Sequence, residues 1–465
     1  MEQWKKIISS DSIYLLLALS ILLRMGSFIN IMADYDEWTY WQIASEWMSG
    51  ERLYIDLIDI KPPGIFLVFA LLMKISLHQF WVAKIWTALL LGVGSWNVGI
   101  IANRIFKVNR LAAGILFLLS FNYYFGTAMN TEVFYVSFAA IGGALMLSEF
   151  NPKRIIGAMF LGFAFCIHYA VAVDMVVIMA LLWYISREKS FSTKLVSMLQ
   201  SGILFLLIPG LVALMFYFNG YLELLKEVVF ELPGKYISKT SSRVLIDSIA
   251  LYHFRFIWLV IPGYLGLVAA FRKERLLGSV FTAWIVLVWV FILVSSRLHQ
   301  HYWLHLSIPM SILGAYFIYS VRFDKYRPYA YVPVALAILV SAFFHFKKAF
   351  EINESIVSVN FSIPKMQMTD VLWSANGPAV YYTLQGKNCP IAFVHGSLSF
   401  DENHCQVFDN TCESVWKQAL DRANVVVFTH GSDKDEAFLS LIETNYRKLK
   451  QIKTTHSIWI KESVR

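Results

Sequence analysis

The stretch DYDEWTYWQIASEWMSGERLYIDLIDIKPP, residues 34–63, comes directly after an apolar run long enough to enter a membrane. From position 34 to 61 it holds seven carboxylates and only two bases, Arg52 and Lys61. Trp38, Tyr40, Trp41, Trp47 and Met48 recur at helical spacing, and Gly50 supplies a stop. This pattern predicts an amphipathic helix in the membrane interface, seated in the headgroup layer by its aromatic rings. Asp34 or Asp36 suits the N-cap of that helix and Glu37 its first turn, a purely structural use of the acids. Lys61-Pro62-Pro63 also has a structural use, with prolines opening a helix and the lysine reaching the headgroups. The functional use of Lys61 is as a cation held at a lipid phosphate.

The rest of the chain supports a membrane setting. Of 465 residues, 57% are hydrophobic, 16% aromatic and only 15% charged, too apolar for an ordinary water-soluble globule. Apolar runs near the ~20 residues that cross a bilayer recur from position 12 to 346, separated by short charged loops. Beyond that point, apolar segments alternate with turn residues and mixed charge. The expected fold class is therefore a mainly α polytopic membrane protein, with a transmembrane domain over 1–346 and a small α/β domain over 347–465. In the latter, AVYYTL, PIAFVHG and NVVVFTHG read as strands and DEAFLSLIETNYRKLKQ as a helix.

The net charge of +8 is spread in small sets between spans, without the basic patch and interleaved aromatics of a nucleic-acid binder. Four cysteines are too few for a disulfide framework. Cys166 reads as a small packed hydrophobe, whereas Cys405 and Cys412 flank a short loop and can pair in an oxidising compartment. The first apolar run lacks a small-residue cleavage site and is long enough to anchor.

Basic residues in short loops assign sidedness. Lys5 and Lys6 place the N-terminus in the cytoplasm, as do the sets Arg104, Lys107 and Arg110; Lys153 and Arg154; Arg187, Lys189 and Lys194; Arg272, Lys273 and Arg275; and Arg322, Lys325 and Arg327 for their loops. Crossings then fall near 12–33, 111–128, 133–149, 155–170, 171–186, 198–218, 255–271, 277–295, 302–320 and 329–346. The region 62–103 must cross once in net, so one of its two apolar stretches, 62–80, dips into the membrane or lies along it. The sum is about eleven crossings with interfacial helices, which puts the C-terminal domain outside the cell membrane.

The unusual polar residues then gather on the outer side, where ionisable groups at membrane depth are functional candidates. Glu132, in MNTEVFYVSF, opens a span with Asn130 or Thr131 as cap. His168 ends an apolar run with Asp174 nearby; a lone histidine there is more often packed than catalytic. In SSRLHQHYWLHLSIP, Arg297, His299, His301 and Tyr302 crowd one boundary, and arginine and histidine suit phosphate oxygens. No Gly-rich nucleotide loop, HExxH or GxSxG is present.

The Asp-Glu pair on the first outer loop, the run GERLYIDLIDIKPP, NTEVF before a span and RLHQHYWLHLSIP near the last spans resemble the membrane glycosyltransferases of the C-type fold. The similarity is to the bacterial branch near protein O-mannosyltransferases and the lipid A aminoarabinose transferase, and it covers nearly the whole chain. It implies transfer of a sugar from a polyprenyl-phosphate donor to a lipid, glycan or protein acceptor outside the membrane. By position it implies Asp36 as the catalytic acid-base residue with Glu37 its companion, Lys61 at the lipid phosphate and Glu132 as a second acidic position. His168 stands where many members have lysine. Ile60 stands where the aminoarabinose enzyme has a glutamate, which argues against a metal site of that kind. No cofactor is read from the residues, and a divalent metal stays an open alternative. Asp34, Lys61, Glu132, His168, Arg297, His301 and Tyr302 are the expected substrate-binding residues, and one inverting displacement with Asp36 as base is the expected chemistry. The alternative is a multi-pass lipid or solute transporter or flippase, which calls for paired repeats and charge nearer the bilayer midplane.

Overall fold

The structure, a computed structural model, describes residues 13–122, 124–232, 242–294, 300–320, 327–392, 394–400, 405, 411–432, 434–452 and 454–462. Among them it has eighteen α-helices and one four-stranded sheet. The helices are α1 Ile13–Phe28, α2 Tyr35–Met48, α3 Gly64–Ile75, α4 Phe80–Phe106, α5 Arg110–Ser120, α6 Thr131–Met146, α7 Asn151–Ile167, α8 Val171–Ile185 and α9 Phe191–Phe218. They continue with α10 Leu222–Lys226, α11 Ser242–Arg255, α12 Ile257–Lys273, α13 Arg275–Val294, α14 Ser307–Ser320, α15 Arg327–Ser362, α16 Val380–Gln385, α17 Cys412–Arg422 and α18 Asp435–Ile442. The chain divides into two compact units, one of residues 1–28, 80–220 and 237–345, the other of 29–79, 221–236 and 346–465.

The first unit is a helical bundle. Among the described residues α4, α9 and α13 are long and apolar enough to cross a bilayer, and α11 and α12 make a pair bent by 90°. Shorter apolar helices, α1, α5, α6 and α8, pack around them. Close approach is set by small residues: a Cβ added to Gly266 of α12 would lie 2.0 Å from the Leu313 carbonyl oxygen of α14. Two cations inside the bundle escape a hydropathy reading. Arg24, 1% exposed on α1, donates to the carbonyls of Gly126, Thr127 and Ala128, and buried Lys84 donates to Ser27 O at 3.2 Å. Carbonyls that no helix uses satisfy these charges at depth, so the arginine pins the 126–128 turn to the first helix.

In the second unit α2 forms where expected and stops at Gly50, whose φ of +110° only glycine tolerates easily. Its aromatic residues differ from expectation. Trp38, Tyr40 and Trp41 are buried in protein, with Tyr40 edge-on to Phe66 and Phe69 of α3, so packing rather than the headgroup layer holds the helix. Pro62 and Pro63 open α3, which buries Phe66, Phe69 and Met73 and leaves Leu67, Leu71 and Ile75 exposed along one face. Twelve residues rise only about 18 Å, short of a ~30 Å hydrocarbon core.

The sheet has the order β1 (Leu372–Ala375), β2 (Val425–Thr429), β4 (His456–Lys461), β3 (Tyr446–Ile452), with β1 and β2 parallel and the rest antiparallel. β2 lies between two strands and is buried at every position, as its unbroken apolar run requires. Trp373, Phe400, Trp416, Phe428 and Phe438 form the aromatic core beside it. Two expectations fail here. AVYYTL is not a strand: Pro378 precedes it, Gly386 ends it in the left-handed region at φ +63°, and Val380, Tyr381 and Tyr382 pack as the helix α16. YRKLKQ does not continue the helix of DEAFLSLI, which ends at Ile442, but forms edge strand β3. Arg447, Lys448 and Lys450 project into solvent from that edge, where charge deters further pairing. PIAFVHG is not a strand among its described residues and leads into a 3-10 turn, Gly396–Phe400. The sulfurs of buried Cys405 and Cys412 lie 2.8 Å apart.

Candidate active site

The second unit brings acids of the opening stretch to a histidine more than 330 positions away. Asp34 is the N-cap of α2: its backbone is extended and its carboxylate accepts from the Asp36 amide at 3.2 Å. The cap position is therefore filled without Asp36. One carboxylate oxygen of Asp36 accepts from the Tyr40 hydroxyl at 2.9 Å, one helical turn on, and the other lies 3.4 Å from Nε2 of His395. Both side chains reach solvent, Asp36 at 22% and His395 at 16% exposure. Glu37 faces the interior: it is fully buried and accepts from the Ala33 amide at 2.6 Å. Expected as a catalytic companion, it is positioned to hold the entry of the helix.

The loop after α2 is shaped to deliver a second carboxylate. Arg52 and Asp56 clamp its turn through a bidentate pair at 2.7 and 2.9 Å, and Tyr54 sits in the left-handed region at φ +68°. The Ile58 amide then donates to Ala392 O at 2.7 Å, which ties this loop to the segment that carries His395. Asp59, next along, is 3% exposed and accepts from the Lys61 amide at 3.0 Å. The Tyr54 hydroxyl donates to Lys61 O at 2.6 Å, so the lysine's backbone is held from both sides just before the prolines that open α3.

Electrostatics link the three groups. Burial pushes Asp59 from 3.8 up to about 6; the Asp36 charge adds to this, while His395, Lys61 and the Lys61 amide oppose it. Burial disfavours a charged His395, but its hydrogen bond to Asp36 and the charges of Asp36, Asp59 and Asp34 outweigh that and raise it above its ordinary 6.5. The site thus sets His395 between a solvent-facing carboxylate and an inward one, both of which favour its charged form. A carboxylate so fixed can accept a proton from a substrate hydroxyl, with the histidine beside it to offset the charge. Among the described residues no group of three or more His, Cys, Asp or Glu side chains is disposed to hold a metal ion.

Neither His395 nor Asp59 was singled out from the sequence. His395 lies in a segment that reads as a core strand, and Asp59 is one acid among seven; only their meeting in space marks them.

The remaining expected residues that are described lie in the first unit. Glu132 is buried in the first turn of α6, where Thr131 Oγ1 donates to it at 3.2 Å, and the Asn130 side chain makes no capping hydrogen bond. His168 ends α7, accepts from the Ala170 amide through Nδ1 at 3.3 Å and stacks on Tyr135 with centroids 4.8 Å apart. Tyr302 tilts toward His168 at 6.3 Å, and His301 meets Tyr302 edge-on at 4.6 Å. Arg297 and His299 lie outside the described residues. The partner of Asp174 is His305, not His168: His305 Nε2 lies 2.7 Å from one carboxylate oxygen, and Trp284 Nε1 donates to the other at 2.9 Å.

No family model matches the sequence, and no characterised protein matches it by sequence. The fold does have solved relatives. ArnT of Cupriavidus metallidurans in the apo state superposes with a TM-score of 0.65 over 96% of this chain and 97% of that one, at 12% identity. The same protein bound to undecaprenyl phosphate gives 0.63 over the same shares, also at 12% identity. The archaeal oligosaccharyltransferase AglB of Archaeoglobus fulgidus, in complex with an inhibitory peptide and a dolichol-phosphate, gives 0.50 over 98% of this chain and 74% of that one, at 12% identity. The chain therefore has the fold of these C-type membrane glycosyltransferases, helical with a small C-terminal sheet.

Proposed function

We propose that this chain is an integral-membrane glycosyltransferase that moves a sugar from a polyprenyl-phosphate donor to an acceptor outside the cell membrane, with inversion. The observation that carries the reading is the Asp36 carboxylate, relieved of capping by Asp34, oriented by Tyr40 and faced by His395. The likeness in fold to ArnT, whose structure holds undecaprenyl phosphate, supports the donor class. The acceptor oxygen attacks the anomeric carbon as its proton passes to Asp36, and the bond from that carbon to the donor phosphate oxygen breaks, releasing polyprenyl phosphate. Attack and departure on opposite faces invert the centre. Base assistance contributes ~10² to 10⁴-fold and fixed cations such as Lys61 stabilise the departing phosphate. Glu132, His168, His301, Tyr302 and Arg297 enter as substrate-binding residues on the resemblance. A cytoplasmic N-terminus and an external C-terminal domain complete the proposal.

The experiment is turnover by purified protein with a panel of labelled polyprenyl-phosphate sugars, wild type beside Asp36→Asn. The variant keeps the shape of the side chain and the Asp34 cap, so donor binding should persist while turnover falls ~10² to 10⁴-fold. Turnover by Asp36→Asn near the wild-type rate would remove Asp36 as the base.

A further inference from the structure

The first unit contains a cavity of about 190 Å³ that the transfer reaction does not use. It is formed where the N-terminal ends of α7 and α9 meet the C-terminal end of α8, and Arg154, Lys189, Lys194, Trp183, Ser186 and Thr193 line it. Three of these six are cations, and no Asp or Glu is among the lining residues. The contrast with Arg187 is informative. Arg187 lies within 3.6 Å of both Glu188 and Glu274, whereas among the described residues no carboxylate comes within ion-pair distance of Arg154, Lys189 or Lys194.

Two further features point to a phosphate-bearing ligand. The first turns of two helices contribute to the wall, through Asn151 and Thr193, and helix N-termini favour anions. The cavity exceeds several-fold the ~30 Å³ share of one water in the liquid, enough for a tetrahedral phosphate and its ester arm. The outer face of α9 decides between a lipid and a soluble anion. Phe191, Leu195, Leu199, Ile203 and Leu206 are exposed there at successive turns, an apolar track that begins beside the cations. Trp183 stands between the two regions, edge-on to Phe191 with centroids 5.6 Å apart and beneath Lys194 Nζ at 4.6 Å, the mixed environment of an interfacial indole.

We propose that this cavity binds the phosphate of an anionic phospholipid between Arg154, Lys189 and Lys194, with an acyl chain along the exposed face of α9. The positive loop is the one expected in the cytoplasm, where the leaflet is rich in anionic headgroups. The site is independent of the sugar transfer and does not rest on it.

Native mass spectrometry of the full-length protein, released from micelles doped with phosphatidylglycerol or phosphatidylcholine, tests the site. Wild type should retain phosphatidylglycerol selectively. Arg154→Gln/Lys189→Gln/Lys194→Gln should bind it roughly a hundredfold more weakly, at about fivefold per cation. Arg187→Gln, whose charge is already paired, should bind as wild type. Where the triple variant folds poorly, the single exposed-position variant Lys189→Gln should still show its roughly fivefold share, and the charge-conserving Lys189→Arg/Lys194→Arg should retain binding. Equal retention by wild type and the charge-removed variants, or equal retention of the zwitterionic lipid, would overturn the site. Displacement of the lipid by inorganic phosphate at similar concentration would overturn the lipid and leave a soluble-phosphate site.

Discussion

The aspartate–histidine pair Asp174–His305 of the first unit and the pair Asp36–His395 of the second are put to opposite uses. In the helical bundle, Asp174 and His305 are each 1% exposed, and Trp284 takes the second carboxylate oxygen. Nε2 is the ring nitrogen of His305 that meets the carboxylate, and among the described residues its Nδ1 has no hydrogen-bond partner. Tyr135 packs edge-on to that ring at 5.3 Å. Burial closes both side chains of the pair to solvent. In the second unit the Asp36–His395 contact is looser, at 3.4 Å, and both residues reach solvent. A short, sealed pair fastens helices; a longer, open one beside a second buried acid is suited to proton traffic.

The contrast can be broken most sharply at Asp174. Asp174→Ala leaves His305 and Trp284 without their acceptor in an apolar surround, and a cost of about 3–5 kcal/mol in stability is expected. Asp36→Ala, at a solvent-facing site, should shift the melting midpoint far less while abolishing turnover. Parallel melting and turnover measurements check both, and equal loss of stability in the two variants would erase the distinction.

At His395 the expected effect is on rate. His395→Gln removes the cation beside Asp36, a charged contact worth about 1.5–3 kcal/mol, so kcat/KM should fall roughly 10- to 150-fold. Because His395 sits above its ordinary 6.5, wild type should lose this contribution as pH rises through that raised value. An alkaline limb present in wild type and absent from His395→Gln would assign it. The same limb in both would exclude the histidine.

Asp59 tests the pair through stability. Its folded value near about 6 lies above the unfolded 3.8, so its contribution is complete below the lower value and is lost as pH rises through the upper one. His395, raised as well, acts in the same direction. Asp59→Asn removes the cost of burying the charged acid and should therefore stabilise the protein at about pH 8 more than at about pH 5, by ~1–3 kcal/mol. A gain that is the same at both would mean that Asp59 does not titrate in the fold.

The smallest effect belongs to the cap. Asp34→Ala should cost about 1 kcal/mol and Asp34→Asn almost nothing, with turnover tracking stability in both. A large loss of turnover in stable Asp34→Asn would move the chemistry from Asp36 to its neighbour.

Much of the fold was legible in the order of residues. Helical spacing and Gly50 point to α2, Pro62 and Pro63 to the start of α3, and the apolar run NVVVFTHG to a strand, which Val425–Thr429 forms. These are local or periodic properties, and local sterics and burial suffice for them. The surface charges that hide β3, and the Pro378–Gly386 brackets that turn an aromatic, β-branched run into α16, required knowledge of which neighbour each segment meets. The candidate site divides the same way. Lys61 stands out in the chain beside its two prolines, whereas Asp36 is separated from Asp34 only by the resemblance to the C-type glycosyltransferases. The choice of Asp34 as cap, the inward turn of Glu37 and Asp59, and the arrival of His395 do not stand out there. A carboxylate's role depends on which proton donors and charges surround it, and those come from segments that sequence separates and tertiary structure joins.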